Sequence, residues 1–148
     1  MRTGLRAALA AALLLASPVL SGCALPDAEL ASAVPADLTP ADATSLAAAM
    51  TDLTTRRVPA ASGAIVVLAP AGDTALTPAL LSDLRAAGYA VADAGPHRLA
   101  YQVNALGGDV LVRMDLDGAR AARLFTRTAQ GLSAAGAFSV REPQVAAR

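Results

Sequence analysis

The only cysteine of the chain, Cys23, stands just past a short apolar run, and that placement decides which residues are left to fold. Arg2 and Arg6 form a basic flank, residues 7–16 supply the apolar body, and Leu20-Ser21-Gly22-Cys23 closes the segment. A helix that crosses a bilayer needs about 20 consecutive apolar residues. This run is shorter and is broken by Ser17-Pro18, so it reads as a removable export signal. Leu20, Ser21, Gly22 and Cys23 match the bacterial lipobox. There, small residues fit the peptidase and a thiolate takes a thioether-linked diacylglyceryl group. The expectation is a signal peptide over residues 1–22 and a covalent diacylglycerol plus N-acyl chain on Cys23. Each buried CH₂ of such chains contributes about 0.8 kcal/mol, so several chains on one residue hold a protein in a membrane effectively permanently. Ala24 follows the cysteine where an Asp would resemble an inner-membrane retention signal. The expected location is therefore the outer membrane of a Gram-negative bacterium, with the remainder of the chain facing the periplasm.

Cleavage before Cys23 would leave 126 residues (148 minus 22), enough for one small domain. Alanine fills 39 positions, while the chain has no Trp, two Phe and two Tyr, so the apolar fraction of 55% overstates the supply of large side chains. Twelve arginines balance twelve acids, and there is no lysine. Without a basic surplus, a nucleic acid is not the expected main partner. One Cys rules out an internal disulfide and a cysteine zinc cluster, and one His rules out a multi-histidine metal site. No cofactor, metal or small-molecule substrate is expected.

Past the anchor, residues 23–38 read as a lipidated start and flexible tether, because Pro26 and Pro35 disfavour a continuous helix. Fifteen such residues would average about 20 Å end to end. The folded unit is expected over residues 39–148. Thr39-Pro40-Ala41-Asp42 has a hydroxyl N-cap, a proline at the first helical position and an acid at the positive end of the helix dipole. Leu46, Met50 and Leu53 then fall on one face, and Pro59 marks the exit. Residues 63–69 form a continuous apolar run that predicts a buried strand, closed by a turn at Pro70-Ala71-Gly72-Asp73. A second helix is expected from about residue 74 or 78 to 87, with Leu76, Leu80, Leu81 and Leu84 inward and Gly88 just beyond its end. Tyr89-Ala90-Val91 reads as a returning strand. The second half alternates like a meander: Leu99, Tyr101 and Val103, then Val110, Val112 and Met114, with turns at Gly107-Gly108 and Asp117-Gly118. Residues 119–128 suit helix or strand, and the preceding Asp-Gly turn favours strand. A last short strand falls within 137–141. Together these predict a small α+β domain, a mostly antiparallel sheet with two helices on one face.

Candidate chemistry is sparse. His97 follows Gly95-Pro96 in a loop, and no Gly-x-Ser-x-Gly elbow offers it a serine, so a surface-loop role is expected and the chain is not read as an enzyme. Asp115-Leu116-Asp117-Gly118 lacks the remaining ligands of a calcium loop and is better read as a hairpin turn. Arg113, Arg120, Arg123 and Arg127 are the more suggestive group. In strand geometry Arg123 and Arg127 share a face, and Arg113 could reach the same side across the hairpin. A set of bidentate donors there suits an acidic partner surface, against the plainer reading of a solvated face interleaved with Asp109, Asp115 and Asp117.

The order of lipobox, tether, helix, a Leu-rich helix ending in Ala86-Ala87-Gly88-Tyr89-Ala90-Val91, then Leu99-Ala100-Tyr101 and Phe138-Ser139-Val140-Arg141 resembles the TrbH family. Its members are conjugal-transfer lipoproteins of mating-pair-formation systems. The resemblance implies a structural component of a conjugative type IV secretion apparatus that stabilises the outer-membrane core complex and has the channel's core subunits as partners. Residues 131–136 are Ala/Ser/Gly-rich where that family tends to carry prolines. The alternative is an envelope lipoprotein outside conjugation, such as a surface-exclusion or envelope-assembly factor, which gene neighbourhood would distinguish.

Overall fold

The computed structural model describes Val34 and residues 37–143. The first helix, α1 (Pro40–Arg57), starts as its sequence demands: Thr39 Oγ1 accepts from the Asp42 amide and Asp42 Oδ2 accepts from the Thr39 amide, both at 3.2 Å. This reciprocal capping box satisfies two amides that the helix leaves without partners. A 3₁₀ turn (Ala60–Ser62) leads into strand β1 (Ile65–Leu68), and helix α2 (Leu76–Ala86) follows. The meander is β2 (His97–Leu106), β3 (Asp109–Leu116) and β4 (Ala119–Thr128), completed by β5 (Gly131–Ala134) and β6 (Ser139–Arg141).

The six strands form one open sheet in the order β1-β2-β3-β4-β5. Strands β1 and β2 are parallel and every other pair is antiparallel. Strands β5 and β6 lie end to end along the edge of β4 that β3 leaves free, at Phe125–Thr128 and Arg120–Ala122 respectively. The tight link between β3 and β4 places Asp117 at φ 55° and Gly118 at φ 84°, the left-handed pair that a two-residue hairpin requires. Residues 119–128 are thus strand.

Alternation along each strand decides which side is covered. Leu99, Tyr101 and Val103 of β2, Val110, Val112, Met114 and Leu116 of β3, and Ala121 and Phe125 of β4 face the helices. Leu46, Met50 and Leu53 of α1 and Leu76, Leu80 and Leu84 of α2 complete that core, while Leu81 is only half-buried. Full burial of a side chain of this size contributes about 1.5–3 kcal/mol. Both helices therefore sit on one face, and the other face is uncovered by any described element.

Two expectations need correction. Tyr89-Ala90-Val91 does not form a strand: only Val91 bridges to Ile65, and the parallel neighbour of β1 is β2. Tyr89 is drawn into the core instead, with its hydroxyl donating to the Val58 carbonyl. The chain then crosses Ala64 at Gly95, where a β-carbon would stand 2.4 Å from the Ala64 carbonyl oxygen. Strand β5 was not anticipated, since Gly131-Leu132-Ser133-Ala134 has no β-branched residue. It pairs because the end of β4 offers it a free edge.

Candidate functional site

The lipobox residues Leu20, Ser21, Gly22 and Cys23 lie outside the described residues. Two residues of the expected tether do not. Val34 and Leu38 pack against the core and border a hollow of about 320 Å³ formed with Pro70, Ala71 and Asp73.

The arginines divide between the two faces of the sheet. Register opposes Arg113 to Ala122, and Val112 to Arg123, so Arg113 points away from the helices while Arg123 and Arg127 point toward them. The expected meeting of Arg113 with the other two does not occur, because it sits one residue out of phase with the core-facing row. Arg127 Nη1 donates to Asp42 Oδ2 at 2.6 Å. The guanidinium of Arg123 lies 5.3 Å from the ring centroids of both Phe125 and Phe138, a cation–π seat that fastens the segment before β6. Arg123 and Arg127 therefore hold the fold together, and of the expected three only Arg113 is on the open face.

Two carboxylates anchor the helices, Asp42 buried and Asp73 half-buried. The side chain of Asp42 is 2% exposed. Burial alone would raise its pKa, but the hydrogen bonds from Thr39 and the Arg127 guanidinium outweigh it and hold the carboxyl below the ordinary value. Asp73 accepts from the amides of Ala75, Leu76 and Thr77, from Thr77 Oγ1 and from Tyr101 Oη. Desolvation again pushes upward, and the bonds from Thr77, Ala75, Tyr101 and Leu76 again win, so the carboxyl sits low. Burial, reinforced by the Asp73 charge, pushes the Tyr101 phenol well above its usual range. The group ties the start of α2 to the middle of β2. In the sequence Asp73 falls in a turn and Tyr101 in a strand, and nothing local connects positions 28 residues apart.

His97 is not an isolated loop residue. Its Nε2 lies 2.8 Å from Ser62 Oγ and its Nδ1 lies 2.7 Å from Asp117 Oδ2, whose other oxygen accepts from the Arg98 amide. A serine, a histidine and an aspartate in line invite a nucleophilic reading. The proton count argues otherwise. Ser62 Oγ also donates to the Pro59 carbonyl at 2.6 Å, and a hydroxyl has one proton. With that proton on Pro59, Ser62 Oγ can only accept from the ring, so the contact does not draw a proton from the serine. The network instead ties the turn after α1, the start of β2 and the β3–β4 hairpin to one another. Asp115 serves the same hairpin, accepting from the Gly118 amide at 2.8 Å. Among the described residues, no group of three or more His, Cys, Asp or Glu could hold a metal, and no helix is long and apolar enough to cross a membrane.

The uncovered face carries Arg98, Ala100, Gln102, Asn104 and Leu106 of β2, Arg113 and Asp115 of β3, Arg120, Ala122 and Leu124 of β4, and Ser139 and Arg141 of β6. Leu106 and Leu124 are exposed, at 51% and 36%. Such a surface, mixed in polarity with leucines exposed among charged side chains, suits protein contact. Across residues 24–143 the chain matches the model of a family described as "Conjugal transfer protein TrbH". No curated protein and no solved structure matches it.

Proposed function

The chain belongs to the TrbH family of conjugal transfer proteins, and from that premise we propose that it is a structural lipoprotein of the mating-pair-formation apparatus that stabilises the outer-membrane core complex. The observation that carries the reading is the extent of the match. It begins at residue 24, directly after the expected acylation site Cys23, and runs to residue 143. The physical properties of the folded unit agree with a scaffold role. Its polar ties join helices to strands, and the described elements leave one sheet face and the outer edge of β6 uncovered, as a surface for other proteins would need. A lipid on Cys23 would hold the unit beside the outer membrane, with channel subunits as its partners.

The test is labelling and transfer in the same cells. Radiolabelled palmitate is expected to mark the protein, and Cys23→Ser to abolish the mark and lower plasmid transfer. Isolation from membranes in mild detergent is expected to bring down the channel's core subunits. An unlabelled protein defeats the anchoring; absence of core subunits from conjugating cells defeats the scaffold role.

A further inference from the structure

On the open face, β3, β4 and β6 align in two adjacent rows. Arg113, Ala122 and Ser139 form one row, and Asp115, Arg120 and Arg141 form the next. Arg120 stands directly opposite Arg141, and like charges at facing strand positions repel. Asp115 answers part of that charge, 3.7 Å from Arg120 Nε, but one of its oxygens is committed to the Gly118 amide. Arg113, Arg120 and Arg141 thus come together on this face, with Asp115 beside Arg120. Between them Ala122 and Ser139 are short, leaving a hollow of about 420 Å³ that Met114 and Ala121 also line. A carboxylate entering the hollow would gain charge-assisted bonds to these bidentate donors.

The hollow adjoins a free backbone edge. Strand β6 pairs with β4 on one side and with no described strand on the other, and its three residues are exposed. A polypeptide added to β6 would place alternate side chains over Ser139 and Arg141. A phospholipid headgroup could use the charge but has no use for the row of amides and carbonyls. We propose that the β6 edge and this hollow are the docking site for an extended acidic segment of another apparatus subunit, whose carboxylates lie between Arg113, Arg120 and Arg141. The proposal rests on the scaffold reading above and adds to it the face and the chemistry of the partner.

The test uses the full chain in conjugating cells, with a photo-crosslinking amino acid at Ser139. The expected adduct is with one transfer subunit, at an extended segment bearing at least two acidic residues. Arg113→Glu with Arg141→Glu is expected to remove the adduct and lower transfer at least about tenfold, the equivalent of one charge-assisted contact. Reversal of the partner's acids to Arg is expected to restore both. Both arginines are exposed, and an Arg113→Gln, Arg141→Gln pair reports the same loss should the reversal disturb folding. Wild-type transfer by the folded Gln pair overturns the proposal. So does an adduct with lipid, with residues 24–38 of this chain or with a segment lacking acids. A gene deletion separates the two claims. If deletion leaves transfer intact, the scaffold reading itself fails. If deletion abolishes transfer while the arginine pair is dispensable, only the docking site fails.

Discussion

Asp42 and Arg127 are 85 residues apart in sequence and meet at 2.6 Å, joining the first turn of α1 to the far end of β4. The same carboxylate completes the capping box of the helix, so one side chain both starts α1 and docks it on the sheet.

Asp42→Ala is therefore expected to cost about 2 kcal/mol: about 1 for the cap and the rest for the charge-assisted bond, discounted because Arg127 is partly exposed. Arg127→Ala keeps the cap and is expected to cost about 1 kcal/mol. Urea unfolding checks both, as a lower midpoint with unchanged slope. Equal losses in the two variants would show that the cap contributes nothing.

The pH dependence follows from two hydrogen-bonded carboxylates. Asp42 and Asp73 both sit below the ordinary value of 3.8 when folded, so each adds stability above that value and loses it as pH falls through the lowered one. Acid unfolding is expected to begin below about pH 4. Asp73→Asn, with its amide oxygen in the place of Oδ1, presents amide protons to the Thr77 amide and to the Thr77 and Tyr101 hydroxyls, so it is expected to lower stability at neutral pH and flatten the acid limb. Circular dichroism titration of both proteins measures this, and an unchanged acid limb in Asp73→Asn counts against the assignment.

At the alkaline end the sign is opposite. Tyr89 and Tyr101 are the only two tyrosines, and both phenols are held above their ordinary value by burial, Tyr101 also by the Asp73 charge. The stability they add is complete below about pH 10 and is lost as pH rises. Absorbance at the phenolate band is expected to stay flat through pH 10 and then rise together with unfolding. A phenolate signal developing around pH 10 in the folded protein would contradict the burial.

Gly95→Ala is expected to destabilise by about 1–3 kcal/mol, because its β-carbon would meet the Ala64 carbonyl oxygen at 2.4 Å and push the β1–β2 crossover apart. Gly108→Ala, with open space around it, serves as the control. Similar thermal midpoints for the two variants would remove the argument for a close crossing.

A fluorophosphonate probe for activated serines is expected to leave the protein unlabelled, since Ser62 spends its proton on Pro59. Labelling at Ser62 that disappears in His97→Ala would overturn this account and make the Ser62–His97–Asp117 line catalytic.

What could be read from sequence was local. The α1 cap at Thr39, the leucine stripe of α2, the Asp117-Gly118 turn and the alternation through β2 and β3 each depend on neighbours within a turn or a strand pair, so composition and spacing carry them. Where the sequence misled, the deciding contact was distant. Tyr89 left the sheet because Val58 offered its carbonyl, and β5 formed because β3 occupies only one edge of β4. His97 gained Ser62 and Asp117 from two other segments. Arg113 parted from Arg123 and Arg127 for the same reason. A strand's period of two tells which side chains share a face, but only the packing of α1 and α2 decides which face is buried and which is left for a partner.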